Sequence, residues 1–384
     1  MIGLKGVPGL RVHYLSQNSG PAMGMGLYER LLLKHVLIEQ TVNSVVADLT
    51  FNGRKPKGAV ELLRLPSSLQ KIDFLGFSTA HLATLPWTLV KHITSLRFGP
   101  AARTSNLFHS LALSFPVTST RPVIYTIHDL PPLLFPDEGT LPAWSKLAAN
   151  EAAAIITPSE FGKLEIVKNL GVRPEGVHVV QNGCEHESFN TAVEPYIADE
   201  LTAIGLPSNY LFYAGGATQR KNVLALLNAW QAICGDFTDL HLVLAGPQER
   251  LNELVSSSGA PRVVLLGYVQ RDVMPRIMKS SRAVVCPSIY EGFGLPPLEA
   301  MALGVPTIGT QVGGAVPEVM ADAGLLAEDG SAESLAETIR SFLLDDNLEE
   351  SMKITGPKRA SLFSWSDHAR QVSLIYKNVL AASH

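Results

Sequence analysis

A chain of 384 residues, 46% of them apolar and 17% charged, can fill two cores of ordinary size, which excludes a disordered chain. Three cysteines with no CxxC pair exclude a disulfide framework and suit a reducing compartment as small buried hydrophobes, and the want of an apolar leader or of about 18 uninterrupted apolar residues makes a cytoplasmic chain the expectation. The net charge of −4 conceals an asymmetry, +8 over residues 1–128 against −12 over the remainder, which fits either a solvated basic face or attraction to an anionic membrane surface or a phosphorylated acceptor.

The first half reads as strands alternating with helices. LRVHYLS (10–16) is a predicted strand, QNSGPAMGMG (17–26) a loop carrying Gly24 and Gly26, and 27–39 a helix with Leu27 and Leu31 one turn apart. SVVADL (44–49) is a second strand. The basic stretch 51–75 yields no ordered set of elements. Residues 86–98 open with a proline and place Leu89, Ile93 and Leu96 on one helical face; core packing explains it, and Trp87, Lys91 and Arg97 would equally suit a helix lying on a membrane.

VIYTIHD (123–129) is a β-branched run ending at His128 and Asp129, followed by PPLLFP. A helix over 142–153, the strand AIITPS and a helix capped by Ser159 follow, and VHVVQNG (177–183) closes the half. The linker-like composition of 186–208 puts the domain boundary there, giving a first domain of 1–190, joined by the last helix at about 365–384, and a second of 205–364.

The second half repeats the pattern more clearly, with short apolar strands at 210–215, 241–246, 262–269, 283–288 and 305–310 separated by helical segments. Such spacing indicates parallel sheets covered on both faces, an α/β architecture whose ligands gather at the carboxyl ends of strands, where Gly215, Gly246 and Gly294 fall. A helix around 332–344, a break at Gly356 and Pro357, and a final helix at 365–382 complete the chain.

Candidate chemistry centres on EGFGLPPLE (291–299). Pro296 and Pro297 suit the first turn of a helix whose positive end faces the loop, and Glu291 and Glu299, the latter expected in that first turn, supply acceptors for hydroxyls. Arg220 and Lys221 fall at an equivalent strand-to-helix loop with Asn222 as the predicted helix cap, and two cations there would hold a diphosphate and stabilise its charge on leaving. A negative ligand carrying sugar hydroxyls fits this set; a solvated RK pair and a chance pair of glutamates are the plain alternatives.

With these residues in view, the chain resembles a GT-B glycosyltransferase of the large retaining family 4, in its bacterial mannosyltransferase-like group. The resemblance rests on E-x7-E (Glu291 to Glu299), its continuation AMALGVPTIGTQVGGAVPEV, and RKN (220–222), AIITPSEFGK (154–163) and VVQNGCEHESF (179–189). IHDLPPLLFPDE (127–138) is similar to a subgroup often using GDP-mannose. The resemblance implies two Rossmann-like parallel-sheet domains facing a cleft, with the C-terminal helix crossing back to the first. It gives Glu291 the transferred sugar's hydroxyls, Glu299 the ribose, and Arg220 and Lys221 the diphosphate. Phe293, Gly294 and Leu295 would present backbone to sugar and phosphate, His128 would reach the sugar from the first domain, and Gly24 and Gly26 would match the family's glycine loop, although MGMG departs from the fuller GG-x-G cluster. For His128 the plain alternative is a strand-end histidine bonded to Asp129.

The implied reaction is retaining, metal-independent transfer of a hexose, foremost mannose from GDP-mannose, to a glycan or lipid-linked diphosphate oligosaccharide in polysaccharide synthesis. No D-x-D triplet occurs, no cofactor beyond the nucleotide sugar is expected, and no nucleic acid is an expected partner. Peripheral contact with an anionic inner membrane face is the expectation attached to the basic half. Alternatives within the fold are a UDP-sugar donor (glucose or N-acetylglucosamine) or a sugar-nucleotide epimerase or hydrolase; a catalytically inactive nucleotide-sugar-binding partner finds no support in the intact glutamates and His128. A dehydrogenase fails because the glycines come eight or more residues after the strand and Glu29 stands where a small residue is needed.

Overall fold

The computed structural model describes residues 10–17, 25–38, 44–50, 86–103, 105–113 and 116–383. Gly24 and the basic stretch 51–75 lie outside the described residues. The chain divides into two compact units, residues 1–133 with 140–183 and 365–384, and residues 134–139 with 184–364.

In the first unit the described strands form one parallel sheet in the order β2-β1-β3-β4-β5-β6. They are β1 (Arg11–Gln17), β2 (Ser44–Thr50), β3 (Leu107–Ser110), β4 (Val123–Thr126), β5 (Ala154–Thr157) and β6 (Val177–Val179). The helices are α1 (Met25–Ile38), α2 (Trp87–Ala102), α3 (Ser145–Glu151) and α4 (Glu160–Leu170). Ser159 caps α4 as expected, its hydroxyl accepting from the Gly162 N–H at 3.0 Å.

One sheet face packs Tyr125 and Ile155 against Trp87, Trp144, Ile166 and Leu170. This settles how α2 is used. Its buried positions are Trp87, Val90 and Thr94, whereas Leu89 is exposed; the expected stripe through Leu89 and Ile93 is displaced because the Trp87 indole stacks on Trp144 at 6.0 Å and donates to Glu151. Lys91 also pairs with Glu151, at 3.1 Å. Trp87 and Lys91 are therefore committed to the protein itself.

The opposite face holds a chain of buried polar groups. Tyr14 on β1, His109 on β3 and Thr126 on β4 meet Tyr28 of α1 and His368 and Tyr376 of the final helix, α13 (Trp365–Ala382). The contacts run Tyr14 to Tyr376 (2.9 Å), Tyr376 to His109 Nδ1 (2.6 Å), His109 Nε2 to Thr126 (2.8 Å), Thr126 to Tyr28 (3.2 Å), Tyr28 to His368 Nε2 (3.3 Å) and His368 Nδ1 to the Gln181 carbonyl (2.9 Å). A carbonyl only accepts, so His368 carries its proton on Nδ1 and takes the Tyr28 hydroxyl at Nε2. Each hydroxyl has a single proton, so every donor upstream is then fixed: Thr126 donates to Tyr28, His109 Nε2 to Thr126, Tyr376 to His109 Nδ1, and Tyr14 to Tyr376. The last helix thus completes the first unit, as the resemblance implies.

The second unit repeats the plan with the order β12-β11-β10-β7-β8-β9, again parallel throughout the described strands. These are β7 (Tyr210–Ala214), β8 (His241–Ala245), β9 (Val263–Gly267), β10 (Ala283–Val285), β11 (Thr307–Thr310) and β12 (Leu325–Ala327). Alternate residues of β7 feed opposite cores: Phe212 joins Val243, Val284, Leu298 and Met301, and Leu211 joins Leu242, Val285, Leu226 and Trp230. The helices are α5 (Ala198–Ala203), α6 (Val223–Ile233), α7 (Gln248–Ser258), α8 (Met274–Lys279), α9 (Leu295–Leu303), α10 (Val316–Met320), α11 (Ala332–Leu344) and α12 (Asp346–Ala360).

Two expectations need correction. The division between units falls at Gly183, ahead of 186–208, because Phe189, Leu201 and Leu206 are buried in the second unit's core. The chain does not break at Gly356 and Pro357, since α12 continues through both to Ala360. A Cβ on Gly356 would stand 3.2 Å from the Met301 carbonyl of α9, so glycine lets the two helices touch, and that packing outweighs the hydrogen bond lost at Pro357.

Candidate functional site

A largely buried cluster of charged residues in the second unit forms where β7 and β10 end. After β7 the backbone passes Gly215 and a 3-10 turn, Gln219–Lys221, before entering α6. After β10 it runs through Ser288, Tyr290 and Glu291 to Gly294, where α9 begins. The two loops are stitched by the Ile289 N–H to the Arg220 carbonyl at 2.9 Å. Asn222 does not cap α6: its backbone is left-handed (φ 56°), and its side-chain amide donates to the carbonyls of Pro287 and Gly330, bracing the loops against each other.

Glu291 lies at the centre with 9% of its surface exposed. Its Oε1 accepts from Lys221 Nζ at 2.6 Å and the Ser288 hydroxyl at 2.7 Å, its Oε2 accepts from Arg220 at 3.0 Å, and its carbonyl takes the Ala315 N–H. Burial alone would push the carboxyl up, but Lys221 and then Arg220 outweigh it and hold the group below the ordinary carboxylate range. With three donors placed, Oε2 retains room for one more, a geometry that suits a single ligand hydroxyl.

Arg220 is shared. Besides Glu291 it reaches the Tyr290 carbonyl at 3.2 Å, and its Nε donates to Glu138 at 2.7 Å. Glu138 comes from the six-residue segment 134–139, which belongs to the second unit although the chain on both sides belongs to the first. In the same segment Asp137 accepts the Gln219 N–H at 2.8 Å and pairs with Arg250 at 3.1 Å, and Phe135 lies edge-on to Tyr290.

Glu299 belongs to a second ion-paired group, with Arg271 and Glu185. It is the fifth residue of α9, beyond the first turn, and only 4% exposed. Burial raises its carboxyl above the ordinary range despite the counter-pull of Arg271. One guanidinium nitrogen of Arg271 bridges Glu299 and Glu185, at 2.6 Å to each, and the plane lies 4.3 Å from the Phe189 ring centre. Arg271→Met should therefore destabilise the second unit by about 2–3 kcal/mol, allowing for the guanidinium's partial exposure, and Glu299→Gln in the same chain should recover part of it. Equal midpoints for wild type and Arg271→Met in urea unfolding would show that the pair contributes nothing.

The expected glycines serve mainly as packing. A Cβ on Gly246 would come within 1.9 Å of the Gly215 carbonyl, so the loops after β7 and β8 can lie together only with glycine there. Gly294 is left-handed at φ 108° and turns the chain into α9, whose Pro296 and Pro297 offer no N–H, leaving Gly294 and Leu295 to supply that helix end's donors. Phe293 is 5% exposed and packs edge-on against Phe363, so only its backbone is available to a ligand.

In the first unit His128 follows β4. Its ring stands edge-on to Tyr28 at 4.3 Å, and its Nε2 is buried with no hydrogen-bond partner among the described residues. Burial and the neighbouring His368 lower its pKa to about 4, so the imidazole is neutral near pH 7. Gly26 is the second residue of α1. Sequence reading missed Glu138, Asp137, Arg271 and Glu185. Of these, only the acidic pair closing LLFPDE carried a signal, two carboxylates at a proline turn.

Two Rossmann-like parallel-sheet units, the first completed by the last helix, with cations and carboxylates at the strand ends of the second, define the GT-B glycosyltransferase class. Residues 198–359 match the family described as glycosyl transferases group 1, and residues 51–188 match glycosyltransferase family 4. The chain belongs to the family 4 glycosyltransferases. It is 30% identical over 234 residues to the O-antigen chain mannosyltransferase B of Escherichia coli, covering 59% of this chain and 61% of that protein. It is also 30% identical over 264 residues to an alpha-maltose-1-phosphate synthase of Mycolicibacterium smegmatis, covering 62% and 67%. The matched stretch thus spans somewhat under two thirds of the first of these relatives. The crystal structure of Anabaena HepE in complex with UDP and glucose superimposes with a TM-score of 0.74 at 20% identity, covering 96% of this chain and 100% of that one. Among the described residues no helix is long and apolar enough to cross a membrane.

Proposed function

We propose that the protein transfers a hexose, foremost mannose from GDP-mannose, to a glycan or lipid-linked glycan acceptor, with retention at the anomeric carbon and without a metal. The observation that carries this reading is the Arg220, Lys221 and Glu291 cluster at the strand ends. Two cations meet the charge that accumulates on a departing diphosphate, and their preorganised positions favour the transition state over the ground state. Glu291, kept ionised by the same cations, accepts from a hydroxyl of the transferred sugar. Glu299 accepts from the ribose hydroxyls, while Gly294 and Leu295 present N–H groups to phosphate. In the first unit His128 offers a neutral imidazole with a buried nitrogen available to a hydroxyl.

Mannose is favoured by the IHDLPPLLFPDE stretch and by the mannosyltransferase among the relatives; the UDP and glucose of HepE support a UDP-sugar as the second reading. In a thermal-shift panel GDP and GDP-mannose are expected to raise the melting temperature more than UDP and UDP-glucose. Stabilisation by the UDP compounds alone would reverse the donor assignment, and mass analysis of the product formed with lipid-linked and soluble glycans would identify the acceptor.

A further inference from the structure

Arg220, Lys221, Glu291 and Glu138 form a cluster of two cations and two carboxylates, with Glu138 on Arg220 Nε and Glu291 on both cations. Those four groups are electrically balanced. A diphosphate brings two or more negative charges, and a balanced cluster attracts it far less than two free cations would. One carboxylate must give way. Glu291 is held by Lys221, Arg220, Ser288 and, through its carbonyl, Ala315. Among the described residues the Glu138 carboxylate has Arg220 as its hydrogen-bond donor and no other, so it is the less firmly held of the two.

The segment around Glu138 is built to stay while the side chain leaves. Asp137 anchors it through the Gln219 N–H and Arg250, and Phe135 lies edge-on to Tyr290 at 5.6 Å. The 3-10 turn Pro136–Glu138 ends at Gly139, whose backbone is left-handed at φ 89°. Rotation about the Glu138 side-chain bonds would free the guanidinium without moving the backbone that carries it.

We infer that Glu138 is a positioning residue acting as an exchangeable counter-ion: it keeps Arg220 aimed while no phosphate is bound and surrenders the guanidinium to the donor's diphosphate. This rests on the donor-binding reading of the cluster. It makes Glu138 a determinant of donor affinity, since every phosphate that binds must first displace it.

The test is calorimetric titration of the full chain with inorganic pyrophosphate, GDP and UDP, comparing wild type, Glu138→Gln and, as a control for net charge, Glu337→Gln on the exposed side of α11. Glu138→Gln is expected to bind pyrophosphate and the preferred nucleotide about three- to tenfold more tightly, with Glu337→Gln unchanged. In turnover, Glu138→Gln should lower the donor KM, because its amide oxygen still accepts from and aims Arg220 but yields to phosphate more readily; Glu138→Ala, lacking that acceptor, should have a higher donor KM than the Gln variant. Equal or weaker binding by Glu138→Gln would overturn the exchange, and equal donor KM in the Gln and Ala variants would overturn the positioning role. Tighter pyrophosphate binding with no response to either nucleotide would leave the counter-ion standing and remove the donor reading. Nucleotide binding with no effect of Glu138→Gln would do the reverse.

Discussion

Lys221→Ala is expected to lower kcat for glycosyl transfer by about 10²- to 10³-fold, the loss typical when one preorganised donor to a developing negative charge is removed. Two consequences add together. The diphosphate loses a cation in the transition state, and Glu291 loses its shortest contact, the 2.6 Å bond that helps keep its carboxyl ionised. Arg220 and Ser288 still hold Glu291, so the fold should survive, with an unchanged far-ultraviolet spectrum and a modest fall in melting temperature. Glu291→Ala should be as damaging by a different route, since it leaves two cations in place and removes the hydroxyl acceptor. Near-normal turnover in either variant would take that residue out of the site.

Stability of the first unit is expected to fall steeply between pH 6.5 and 4. His109 is driven down to a pKa of about 3 by burial first and then by His368 and His128; His368 and His128 are each lowered to about 4, again by burial first. A histidine with a depressed folded value stabilises the fold while the unfolded chain is also neutral, above about pH 6.5, and loses that stabilisation as pH falls and the unfolded chain takes up protons. Each contributes about 1.4 kcal/mol per pH unit in this window, so three together approach about 4 kcal/mol per pH unit. Urea unfolding at pH 7, 6 and 5, followed by tryptophan fluorescence, measures it, because Trp87, Trp144 and Trp365 all lie in this unit. His109→Gln should reduce the slope by about a third. A midpoint that does not move between pH 7 and 5 would contradict the assignment.

What the sequence disclosed and what it hid divides along physical lines. Strands such as YLFYA and HLVLA, and helices entered by proline or capped by Ser159, announce themselves because their signals lie within a few residues. EGFGLPPLE was legible for the same reason. LFHS was not assigned as a strand, since four residues, two of them polar, say little without knowing that β1 and β4 flank them. The buried face of α2 was misread because Trp144, its stacking partner, lies 57 positions away. The partners of the expected site residues were hidden by the same distance: Glu138 is 82 positions from Arg220, and Arg271 is 28 from Glu299 and 86 from Glu185. Periodicity reports which face is apolar; it carries no information on which charges will be brought together.

The proton order of the buried chain from Tyr14 to Gln181 also bears on the sequence of events during synthesis. His368 and Tyr376 follow the whole second unit along the chain, yet they supply the acceptor that takes the Tyr28 proton and the hydroxyl that joins His109 to Tyr14. Every residue of the second unit is made before Trp365. The first unit, whose described strands all precede residue 184, is thus completed only after the second unit has been translated.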